Sequence, residues 1–130
     1  MSGQFVDLLQ IFPSSSIEET TKFYENIGFR AVRYLDVTEP HVCLYRDNIE
    51  IVLTKSALAK IVPNHIVHGY GEDAYFITND QEALQEELRQ KGVKIVRELA
   101  VTDYSNLEFI FEDNEGRWIA VGRKITKQGD

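Results

Sequence analysis

The chain has 130 residues, 43% of them hydrophobic and 27% charged, which is the length and balance of one ordinary globular domain. No apolar run approaches the roughly 20 residues of a membrane span, and Met1-Ser2-Gly3-Gln4-Phe5 has neither a basic flank nor an apolar signal core, so a cytoplasmic protein is expected. A formal net charge of -7 disfavours nucleic acid, which needs Lys and Arg to displace counterions, and is compatible with a cationic small ligand.

Residues 5–12 read as a first strand. A helix then starts at Ser16, with Glu19 three residues on in a capping-box pattern. Ile17, Phe23, Tyr24 and Ile27 give it one apolar face, and Gly28 stands where a left-handed C-cap would end it. Strands follow over 31–36, 42–46 and 49–55, the last two turning at Asp47-Asn48. Residues 56–72, with Pro63, Gly69 and Gly71, read as a linker. The series then restarts with a strand over 73–78 and a helix capped by Asp80, its apolar residues Ala83, Leu84 and Leu88. Gly92 stops that helix, and strands are predicted over 93–99, 108–112 and 118–123, the last pair turning at Asp113-Asn114-Glu115-Gly116. Residues 125–130 read as a polar tail.

The series is a repeat. At an offset of 64, Ser16 falls on Asp80, Gly28 on Gly92, Val32 on Val96, Arg33 on Arg97 and Leu35 on Leu99. At an offset of 68, Ile51 falls on Ile119 and Leu53 on Val121, so the second half has gained a few loop residues. The expected fold is α+β: one domain, 1–130, of two tandem βαβββ modules, 4–55 and 73–124, forming a curved mixed sheet around a cleft.

Strand alternation assigns the faces. Leu8, Phe12, Ile49, Ile51, Leu53, Ala74, Phe76, Ile119 and Val121 fall on the helix side. The other side collects Asp7, Glu50, Thr54, Asp73, Tyr75 and Trp118 among apolar residues, including Leu9, Ile11, Val52, Ile77, Ala120 and Gly122. A concave, partly apolar surface with a few polar groups suits a ligand, so those six are the candidate ligand-binding residues.

The helix pattern Ser16-x6-Phe23-Tyr24-x3-Gly28-Phe29 and the turn Asp113-Asn114-Glu115-Gly116, in this order within a duplicated chain, resemble the vicinal oxygen chelate superfamily of glyoxalases, extradiol dioxygenases and bleomycin resistance proteins. The resemblance runs over about residues 4 to 124 and implies the glyoxalase/bleomycin resistance fold. It also implies four metal-ligand places, on the first and last strand of each module, which fall here on Leu9, Val52, Asp73 and Ala120. Only Asp73 has a lone pair to give, so no metal, cofactor or catalytic residue is expected. The metal-free bleomycin-resistance branch is the nearest likeness, and it implies a homodimer sequestering a cationic or aromatic ligand.

Three functions stay open at this stage: such a binding protein, a lyase- or oxygenase-type enzyme with an atypical or absent metal site, and a non-catalytic regulatory or interaction module. Remaining residues read as structural: His65 and His68 as a surface pair in the linker, His41 as a loop residue, and Cys43 as a small buried hydrophobe.

Overall fold

A computed structural model describes residues 2–125, and of the expected tail Ile125 alone lies among them. Contacts divide the chain into two compact units, Met1–Ala57 and Leu58–Asp130. Each is a four-stranded mixed sheet with a helix on one face.

The first unit runs β1 (Gln10–Ser14), α1 (Ile17–Asn26), β2 (Arg30–Tyr34), β3 (His41–Arg46) and β4 (Ile49–Lys55). Its strand order is β1-β4-β3-β2, with β1 parallel to β4 and the other pairs antiparallel. The second unit runs α2 (Asn64–His68), β5 (Ala74–Ile77), α3 (Gln81–Gln90), β6 (Lys94–Val101), β7 (Asn106–Glu112) and β8 (Trp118–Lys124). Its order, β5-β8-β7-β6, has the same pattern, with β5 parallel to β8. Ile51 pairs with Gln10, and Ile119 with Ala74, so the two offsets read from the sequence meet in one structural register.

Local chemistry explains the helices. The Ser16 side chain accepts from the Glu19 N–H at 3.4 Å, as the capping box requires. Gly28 and Gly92 both adopt left-handed backbone, at φ +97° and +81°, and stop their helices. Asp80 takes the N-cap place of α3, but its side chain makes no capping bond there. Its own N–H donates to the Thr78 Oγ1 instead, at 2.9 Å.

Each unit has its own core. Phe12, Tyr24, Ile27, Phe29, Leu44, Ile51 and Leu53 are buried in the first, and Leu88, Val93, Phe109, Phe111, Ile119 and Val121 in the second. Thr20 and Thr21 on α1 are also fully buried, and the Thr20 hydroxyl bonds the Ser14 hydroxyl at 2.9 Å. The apolar face expected for α3 is narrower than read: Leu88 is buried and Leu84 half-buried, but Ala83 is exposed.

Three further expectations are corrected. The first strand begins at Gln10, not at residue 5, because pairing with β4 starts at Gln10 opposite Ile51. Residues 5–9 therefore have no strand partner, and Leu8, expected on the helix side, is exposed. The linker contains α2, a short helix that follows Pro63 and ends at Gly69 in left-handed backbone. His41 opens β3 rather than lying in a loop, with its ring stacked on Tyr34 at 5.1 Å.

Candidate functional site

The richest polar group lies on the second unit's sheet, on the face opposite α3. Register places it. Tyr75 pairs with Ala120, which pairs with Ile110, and Gly122 pairs with both Ile77 and Glu108. Their side chains share the face that Ile119, Val121, Phe109 and Phe111 do not use.

Glu108 is the centre. Its side chain is on β7 and only 4% of the residue is exposed. The Tyr75 hydroxyl donates to its Oε1 at 2.9 Å, and the Tyr104 hydroxyl donates to its Oε2 at 3.0 Å. The Asn106 amide donates to the Tyr75 oxygen at 2.9 Å and to Glu108 Oε1 at 3.4 Å. Among the described residues, Glu108 forms no ion pair with a Lys, Arg or His. Tyr75 and Glu108 sit on strands that flank β8, so their bond passes over it. Only small residues, Ala120 and Gly122, lie beneath. A Cβ at position 122 would come within 2.6 Å of the Glu108 Cβ and closer still to the Leu107 carbonyl. Glycine there is a packing requirement of this bridge.

The electrostatics follow. Burial first, then the bond to Glu108 and its charge, push the Tyr75 phenol well above the usual tyrosine range. The same causes raise Tyr104. Glu72 is raised too, by burial and then by the charge of Glu108, with Arg97 opposing. So an acid just before β5 senses the acid on β7.

The six residues expected from the strand pattern fall into several groups. Tyr75 belongs to the Glu108 cluster. Asp73 and Trp118 meet at the other end of β8. One Asp73 oxygen accepts from the Asn64 N–H at the start of α2, at 3.2 Å, and the other from the Trp118 N–H at 3.3 Å. The Trp118 indole N–H donates to Glu112 at 3.1 Å, and one ring face is covered by His65, stacked at 3.7 Å. His65 is thus half-buried and not the surface residue expected; its Nε2 lies 3.0 Å from the Gly116 carbonyl. In the first unit, Asp7 and Glu50 line one hollow of about 690 Å³ with Leu8, Leu9, Tyr45 and Ile49. Thr54 lines a second, of about 510 Å³, with His41, Val52 and Lys55.

Glu108, Tyr104, Asn106 and Glu72 were missed from sequence. Glu108 had a legible signal: it is an acid on the same strand face as Ile110, flanked by Leu107 and Phe109. The cross-strand register that carries it over a glycine was not legible.

The four ligand places implied by the family resemblance do not fit an ion. Leu9, Val52 and Ala120 offer no lone pair, and both Asp73 oxygens already accept backbone N–H groups. Among the described residues, no three His, Cys, Asp or Glu side chains are grouped to hold a metal.

A duplicated βαβββ architecture with an acidic, aromatic sheet face defines a class, and comparison with known proteins gives its family. The model of the Glyoxalase/Bleomycin resistance protein/Dioxygenase superfamily matches residues 8–121, and the chain belongs to that superfamily. The superfamily holds both enzymes and non-enzymes. Among solved structures, a bleomycin-binding protein complexed with bleomycin is similar at TM-score 0.71 and 14% identity, over 93% of this chain and 100% of that one. UcmS2 is similar at TM-score 0.69 and 20% identity, over 91% and 98%. TioX from Micromonospora sp. ML1 gives 0.67 and 13%, over 92% and 100%. At such identities the likeness is one of fold. No curated protein sequence matches the chain. No helix among the described residues is long and apolar enough to cross a membrane.

Proposed function

We propose that this chain is a metal-free small-molecule binding protein of the bleomycin-resistance type, taking a cationic, aromatic-bearing ligand. The observation that carries the reading is Glu108: a buried carboxylate on the sheet face opposite α3, held by two phenols and an amide and by no basic side chain among those described. A buried negative charge without a cationic partner favours a ligand that brings one. The exposed half of Tyr104 offers aromatic surface beside Glu108, and the Trp118 ring offers more at the other end of β8. Asp7, Glu50, Thr54 and Asp73 remain secondary candidates. A dimer in the cytoplasm is part of the same reading.

The test is a titration with bleomycin, read through Trp118, the chain's single tryptophan. Saturable change in emission is expected, and Glu108→Gln should weaken it by about tenfold or more, on the scale of a lost charge-assisted contact. Equal affinity in wild type and Glu108→Gln would sink the assignment of Glu108. Flat emission up to high micromolar ligand would remove that ligand class.

A second reading is favoured by Glu72, whose carboxyl is held up by burial and by Glu108. It is a metal-free enzyme in which Glu72 moves a proton. Glu72→Gln separates the two: it abolishes turnover in the enzyme and leaves ligand binding nearly intact in the binding protein. Stoichiometric divalent metal in the purified protein would overturn both.

A further inference from the structure

Arg33 and Arg97 are equivalent in the repeat, at the offset of 64, yet they stand on opposite faces of their sheets. β2 pairs with β3 in unbroken register, and Arg33 lies opposite Val42, which is fully buried on the α1 side. Its guanidinium reaches α1 and pairs with Glu18 at 2.8 Å and Glu25 at 3.6 Å. β6 does not repeat this. Its register with β7 shifts on both sides of Arg97, between Ile95 and Arg97 and again between Arg97 and Ala100. Such shifts re-aim side chains. They bring Arg97 opposite Ile110, on the face that holds Tyr75 and Glu108. The ties to α3 pass to its neighbours: Glu98 pairs with Arg89 at 2.7 Å, and the Leu99 N–H donates to Gln85 at 2.7 Å.

Arg97 is exposed there and forms no ion pair among the described residues. Its charge still reaches the cluster. Burial and Glu108 push the Glu72 carboxyl up, and Arg97 opposes them. Guarding the sheet edge does not require this turn, since Arg33 stands on the equivalent edge strand in regular register.

We propose that Arg97 is the anion-recognising residue of the Glu108 site, and that the ligand is an aromatic zwitterion whose carboxylate meets Arg97 while its cationic group meets Glu108. The inference rests on the reading of Glu108 as the partner of a cation. A planar guanidinium takes a carboxylate through two parallel N–H bonds, and this one is not committed elsewhere. Arg97 stands opposite Ile110 and Glu108 lies two residues away along β7, so the ligand's two charges are separated rather than adjacent. One aromatic ring with a charge at each end has that chemistry.

Calorimetric titration of the full chain near neutral pH tests this. The zwitterion is 4-(aminomethyl)benzoate, with benzylamine as its cation-only counterpart and benzoate as its anion-only one. The zwitterion should bind about tenfold or more tighter than either, on the scale of an added charge-assisted pair. Arg97→Gln should remove the gain over benzylamine and leave benzylamine itself unchanged, whereas Glu108→Gln should weaken both amines. Arg33→Gln, which removes the repeat-equivalent arginine on the α1 side, should change neither. If benzylamine binds through Glu108 but the carboxylate adds nothing, the inference fails and the reading of Glu108 stands. The same holds if the gain survives Arg97→Gln or is lost equally in Arg33→Gln. If neither amine binds at millimolar concentration, or both bind Glu108→Gln as well as wild type, the inference and that reading fall together.

Discussion

Tyr75 ties a protonation state to the fold. Its phenol is raised by burial and by Glu108, so between about pH 10 and its higher folded value the native chain keeps a proton that the unfolded chain has lost. Stability from this group is full below about pH 10 and falls as pH rises beyond it. Urea midpoints measured from about pH 9 to about pH 11 should therefore decline less steeply in Tyr75→Phe than in wild type. The Thr21 hydroxyl poses a simpler case. It is buried on α1 and has no hydrogen-bond partner among the described residues. An unpaired buried hydroxyl costs about 1 to 3 kcal/mol, so Thr21→Val should raise stability by about 1 kcal/mol in the same unfolding assay. Both residues show what sequence hides. Periodicity placed Tyr75 on the correct sheet face but could not name its partner, which is 33 positions away across an intervening strand. Thr21 looks like an ordinary polar helix residue until the sheet covers it.

At the scale of the element, the two helix starts occupy equivalent places in the repeat and differ in chemistry. Ser16 caps the Glu19 N–H, whereas Asp80 makes no side-chain cap bond. Ser16→Ala should cost about 1 kcal/mol, and Asp80→Ala at most about half of that, read from thermal or denaturant unfolding. Helices, turns and pairing order were legible because their determinants are local: a cap, a stop glycine, an Asx turn. The start of β1 was not legible, because alternation continues through 5–12 while pairing begins only at Gln10, although β4 extends two residues further to Ile49. Nor was α2 legible within the linker. What holds it is distant in sequence, namely Asp73 on its first turn and Trp118 under His65.

At the scale of the molecule, the duplication read from two offsets is the fold, and the superfamily match spans both modules, residues 8–121. The candidate site was legible only in outline. Strand parity indicated an acidic, aromatic face and supplied Tyr75, but the acid at its centre, Glu108, came from cross-strand register. Alternation reports which side a residue faces and says nothing of which neighbours converge there. The six expected residues accordingly divide among four local environments in the two units.

The small floor of β8 limits what else this sheet face can hold. Ala120 and Gly122 leave a gap over which Tyr75 and Glu108 join hands. A carboxylate side chain placed at 120 would need that same space. Bridge and metal ligand are then rival tenants of one volume, and an intermediate sequence holding both would be overfilled. Building an ion site here would accordingly require removing the bridge first, and adding a ligand alone would not suffice.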